Sequence, residues 1–81
     1  METNNSNTEL TYGQKAVGLK FNPSKNSEVD KAKQLFADAI DQLNDLRNKS
    51  IDGEKIICCT YAIREIKTAQ MWSVKAITHG M

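Results

Sequence analysis

A chain of 81 residues with a net charge of +1, from 11 basic and 10 acidic side chains, is one small domain. It lacks the cationic excess of proteins that coat DNA or RNA through phosphate contacts. No apolar stretch approaches the roughly 18 residues that span a bilayer, and Met1–Thr8 has neither the basic nor the apolar region of a secretion signal, so the expected compartment is the cytoplasm. Chains this short bury only about 60% of their unfolded surface and usually need a disulfide, a metal or oligomerisation. Cys58 and Cys59 are adjacent and on a helix would point about 100° apart, so they cannot staple distant segments. They are expected to be a free, buried pair in a reducing compartment. No zinc-ligand spacing is present. Oligomerisation remains as the stabilising device.

Residues 1–9 are polar and low in complexity, which predicts a disordered tail. From Leu10 to Ser24 apolar anchors mix with Gly13 and Gly18, giving an ordered arm with at most a short helical turn near Gln14–Val17. Asn22-Pro23-Ser24 is a turn signal, because proline fixes its own φ and disfavours helix at Asn22. Ser27 is the expected N-cap of a first long helix, with Asp30 in the capping-box position and Glu28 in the first turn. Val29, Ala32, Phe36, Ala39, Leu43 and Leu46 then follow at steps of three and four. That is a heptad seam, widened by Leu35 and Ile40. Lys31, Lys33, Asp38, Asp41 and Asp45 are assigned to the solvated side.

Asp52-Gly53 is a turn dipeptide, followed by a second long helix from about Glu54 to Thr78. Ile56, Cys59, Ile63 and Ile66 continue a seam suited to packing on the first helix. Ile57, Tyr61, Ala62, Ala69, Trp72, Val74, Ala76 and Ile77 spread apolar surface around much of the remaining circumference. A partner helix in a hairpin covers only one stripe, so the rest must meet other subunits. The expected fold is all-α: a short N-terminal arm followed by a two-helix antiparallel hairpin, with residues 10–81 as one domain assembling into a helical homo-oligomer.

The sequence offers no catalytic constellation. His79 stands alone near the end, and no nucleophile elbow, P-loop or dinucleotide fingerprint is present. The Asp38, Asp41, Asp45 ladder reads as a solvated face rather than a metal site. Three features suit an anionic ligand. Arg64, Thr68, Met71 and Lys75 share one helical face with Lys67 on its flank, and an arginine fork suits phosphate oxygens. The alternative is that Arg64 pairs with acids on a neighbouring helix. Tyr12, beside Gly13, can lie flat over a nucleobase or serve as a hydrophobic anchor. The loop Asn22–Ser27 leads into a helix N-terminus and, with Lys25 or Lys31, forms either a phosphate cradle or a plain cap and turn.

Four segments together carry a resemblance. They are Val17-Gly18-x-x-Phe21-Asn22-Pro23-Ser24; Val29-x-x-x-Lys33; Ala39-Ile40-Asp41-x-Leu43; and Arg64-Glu65-Ile66-x-x-Ala69-Gln70-Met71-Trp72-x-Val74-Lys75-Ala76-Ile77-Thr78. Over roughly residues 10–79 the chain resembles the bacteriophage anti-CBASS protein two family, whose hairpin domain is shared with a Thoeris anti-defence sponge. The resemblance implies a non-enzymatic sponge, without cofactor or metal. Such proteins assemble as homohexamers in the cytoplasm of an infected or lysogenic bacterial host. They sequester cyclic di- and trinucleotide immune messengers and so block anti-phage effectors.

The resemblance also places the sites. Cyclic dinucleotides would be held between interlocked protomers by Tyr12, Asn22, Ser24, Lys25 and Lys31. Cyclic trinucleotides would be held near a threefold axis by Arg64, Lys67 and Thr68. Where the family often carries a glycine after Pro-Ser, this chain has Lys25. It also lacks the extra N-terminal domain of longer Thoeris-type sponges, which disfavours cyclic ADP-ribose ligands. From a different class, the rival expectation is a structural or regulatory hairpin that binds a protein partner through its apolar second helix.

Overall fold

A computed structural model describes residues 9–81; the expected disordered tail lies, apart from Glu9, outside the described residues. Three helices follow in order: α1 (Tyr12–Ala16), α2 (Ser27–Lys49) and α3 (Gly53–Thr78). Each begins on a side-chain cap. Thr11 and Gln14 close a capping box on α1. Asp52 accepts from Glu54 N at 2.9 Å and Lys55 N at 3.3 Å, so the turn dipeptide is itself the helix start.

The cap of α2 is Asn26, which accepts from Glu28 N at 2.8 Å, and not Ser27, which is the first helical residue. Asp30 therefore makes no capping box. It instead accepts from Asn22 Nδ2 at 2.9 Å, tying the turn to the helix.

α2 and α3 form an antiparallel hairpin. Arg47 near the end of α2 meets Thr60 near the start of α3, while Val29 shares a cavity wall with Val74 and Thr78 at the opposite end. The arm packs on α2 as a third segment of the layer and runs back along it. Gly13 N donates to Asp41 Oδ1 at 2.6 Å, Gln14 to Gln34 at 3.1 Å, and Asn22 to Asp30, so the contacts step down α2 as the arm proceeds.

This second neighbour moves the buried face of α2. Val29, Lys33, Ala37 and Ile40 are its buried residues. Ala32, Phe36, Ala39 and Leu43 of the expected seam are half-buried, and Leu35 and Leu46 are exposed. A hairpin alone would centre burial on the seam. The arm covers a flank as well, so the centre shifts to the line between arm and α3. On α3 the expected seam holds, with Cys59 and Ile63 buried, Ile56 and Ile66 half-buried, and Gln70 continuing it. The cysteine pair divides: Cys59 is buried and Cys58 exposed, both free.

Lys33 is the largest departure from the expected pattern. Assigned to the solvated side, it is only 5% exposed. Its ammonium donates to Gly18 O at 2.9 Å and to Phe21 O, and lies 5.6 Å from the Phe21 ring centroid. Gly18 takes φ +63, a left-handed turn open to glycine, which presents both carbonyls to one ammonium. Burial of the charge is thus compensated by acceptors.

The layer is thin. Its smallest principal extent is 12 Å, about one helix diameter. Val17, Ala37, Ile40 and Ile63 form the central cluster, and Tyr12, Phe21, Leu35, Ile57, Tyr61, Met71 and Trp72 are among the exposed large apolar or aromatic residues. No described helix is long and apolar enough to cross a membrane.

Candidate functional site

The turn before α2 is built from its own polar side chains. Asn22 Oδ1 accepts from Ser24 Oγ at 2.7 Å and from Lys25 N at 3.1 Å, while Ser24 Oγ accepts from Asn26 N at 3.1 Å. Asn22 Nδ2 reaches Asn26 O at 3.0 Å. Lys25 takes φ +59, the left-handed region that favours glycine. The position where the resembled family often has glycine is therefore one whose backbone suits it. With these polar groups engaged in the turn, Asn22 and Ser24 also line a cavity of about 300 Å³ with Phe21, Val29, Lys33 and Val74.

An adjoining cavity of about 290 Å³ shares Phe21, Lys33 and Val74 and adds Gly18, Gln70 and Met71. Phe21 is 72% exposed beside both. Gln70 Oε1 is buried there without a hydrogen-bond partner among the described residues.

Lys31 does not join this turn. It sits on the exposed side of α2 and pairs with Glu28 at 3.5 Å, an exposed contact of little energetic weight. Tyr12 is also apart. Its neighbour Gly13 is anchored at Asp41 and Asn22 at Asp30, points separated by about 16 Å of helix rise. One chain thus does not bring Tyr12 to Asn22, Ser24 and Lys25.

Gly13 is not a flexible neighbour for Tyr12. It is a buried close-contact position, where an added Cβ would stand 2.1 Å from Ala37 O. The tyrosine is held by its backbone and remains 44% exposed.

Tyr12 instead faces Arg47, a residue that no motif of the sequence singles out. The Arg47 guanidinium lies 5.7 Å from the Tyr12 ring centroid and donates to Tyr12 OH at 3.4 Å, Asn44 Oδ1 at 2.8 Å and Thr60 Oγ1 at 3.0 Å. In the sequence Arg47 reads as a basic side chain in the last turn of a helix, suited to the helix dipole. Only the fold brings arm, α2 and α3 to it.

On α3, Arg64, Lys67, Thr68 and Lys75 are all exposed. The Arg64 guanidinium stacks 4.8 Å from the Tyr61 ring centroid. Among the described residues no carboxylate forms an ion pair with it, so the alternative of intrachain neutralisation is not realised. Thr68 Oγ1 donates to Arg64 O at 3.4 Å, a long back-bond on an exposed side chain. Met71, Trp72 and Lys75 line a shallow cavity further along.

The aspartate ladder is dispersed among separate partners. Asp38 accepts from Gln34 Nε2 at 2.7 Å, Asp41 from Gly13 N, and Asp45 pairs with Lys49 at 2.8 Å. The hydrogen bond that Lys49 donates to Asp45, and then the carboxylate's charge, raises the Lys49 pKa above its usual 10.5. Asp41, expected to be solvated, is half-buried under the arm. No family model, curated protein or solved structure matches the chain.

Proposed function

We propose that this chain is a non-enzymatic sponge for cyclic oligonucleotide messengers, as in the anti-CBASS family it resembles, acting as a closed homo-oligomer of six subunits. Holding the messenger intact would deprive anti-phage effectors of their activator. The observation that carries the reading is the outer face of α3. Arg64 stands there stacked on Tyr61, with Thr68 one turn on and Lys67 and Lys75 nearby, all exposed. Cations that form no ion pair among the described residues, set among apolar side chains, suit a symmetric pocket for phosphates when copies of α3 converge.

A second site for cyclic dinucleotides would combine Tyr12 of one protomer with Asn22, Ser24, Lys25 and Lys31 of another. That division is supported by the distance between the two groups in one chain. One observation favours the rival reading: Ile57, Met71 and Trp72 of α3 are exposed, a surface that a protein partner could cover.

Calorimetry on two variants separates these readings. Tyr12→Ala should weaken a cyclic dinucleotide by about 1–3 kcal/mol, the range for lost base–aromatic stacking, and leave a cyclic trinucleotide largely unaffected. Arg64→Ala should do the reverse, since each charge-assisted hydrogen bond contributes about 1.5–3 kcal/mol and a symmetric site loses several. Equal effects of each variant on both ligands would refute the two-site assignment. Absence of binding by the wild-type protein would favour the protein-partner reading.

A further inference from the structure

We infer that Arg47 is the phosphate-holding residue of the Tyr12 site, a role no feature of the sequence assigns to it. This rests on the proposal that Tyr12 meets a nucleotide base. Three observations carry it.

The first is orientation. The guanidinium is fixed by three acceptors on three different elements: Tyr12 OH on α1, Asn44 Oδ1 on α2 and Thr60 Oγ1 on α3. Thr60 donates its own proton to Ile56 O at 3.0 Å, so the hydroxyl turns a lone pair toward Arg47.

The second is charge. All three acceptors are neutral, and among the described residues Arg47 forms no ion pair with a carboxylate. The nearby Asp45 pairs with Lys49 instead, at 2.8 Å. A guanidinium positioned by neutral dipoles keeps its full attraction for an external anion. It also has more N–H donors than these three partners use.

The third is the neighbouring ring. Tyr12 is 44% exposed with Arg47 on it. The pair therefore offers a stacking surface beside a cation, the two elements that bind a base and its phosphodiester. The ligand class is a cyclic dinucleotide, its base on Tyr12 and one phosphodiester on Arg47.

The simpler role for Arg47 is a staple joining arm and hairpin, and the test must separate the two. Binding of 3′,3′-cyclic di-AMP and 3′,3′-cyclic GMP–AMP would be measured by calorimetry at several salt concentrations. The proteins compared are the wild type, Arg47→Gln, Arg47→Lys and Tyr12→Ala, each with its melting temperature and oligomeric state checked.

Arg47→Gln should lower affinity roughly 10- to 100-fold, the loss expected for a charge-assisted contact, and flatten the salt dependence. Arg47→Lys should restore the salt dependence and part of the affinity. Affinity that is unchanged in Arg47→Gln, or that falls with the wild-type salt dependence intact, overturns the inference while Tyr12→Ala sensitivity leaves the sponge reading standing. A wild-type protein that binds neither dinucleotide overturns both.

Discussion

Lys33 shows how much one residue's role depends on its surroundings. At i+4 from Val29 it could face either the core or water, and a lysine is almost never fully buried unless paired. Its partners are two arm carbonyls, Gly18 O and Phe21 O, which belong to a segment without regular pattern. Lys33→Met should destabilise the chain by about 1–3 kcal/mol, because the carbonyls lose a charged donor that water replaces incompletely. Urea denaturation measures this, and a midpoint equal to the wild type's would show that the arm needs no such clamp. Gln70 carries the opposite lesson. It continues the α3 seam as a polar residue that is 7% exposed, and its place in the seam is packing, since nothing among the described residues answers its acceptor oxygen.

At the scale of elements, the two long helices follow from local chemistry. Asn26 and Asp52 cap them, and unbroken steps of three and four fix their inner faces. The five-residue α1 does not stand on propensity, since a helix so short is unstable alone. It is held by Gly13, whose missing Cβ lets its backbone meet α2 at Ala37, and by the bond to Asp41. Gly13→Ala should therefore shift the arm and lower stability by about 1–3 kcal/mol, the usual penalty of overpacking. Faster hydrogen exchange at Gln14–Val17 with α3 unaffected would locate the loss in the arm. Unchanged exchange there would contradict the close-contact role. The arm was legible as an ordered segment, but its target on α2 was not, because Asp41 and Lys33 look like ordinary exposed charges in a heptad.

As a whole molecule, the chain is a layer about one helix thick. Stable domains usually bury their apolar faces between two layers. Here the buried hydrophobic set is Val17, Val29, Ala37, Ile40, Cys59 and Ile63, while Trp72 is 66% exposed and Met71 is similarly uncovered. Sedimentation equilibrium should accordingly find a closed oligomer, with six subunits as the expected size. A folded monomer at micromolar concentration would remove the assembly on which both proposed sites depend. Dissociation by dilution should be accompanied by loss of helical signal, because the separate layer has little core of its own.

The all-helical class, the two long helices and the inner stripe of α3 are legible in the amino-acid order, because helical periodicity and capping are local and repeat within a few residues. The same periodicity puts Arg64, Thr68, Met71 and Lys75 on one helical face, with Lys67 on its flank. The burial of Lys33, the hold of Asp41 on the arm, the distance from Tyr12 to Asn22 and Ser24, and the meeting of Arg47 with Tyr12 come from the packing of the chain on itself. Each depends on where the arm crosses α2. That crossing is set by a glycine's missing side chain and a few hydrogen bonds between residues distant in the chain, and neither leaves a period to read.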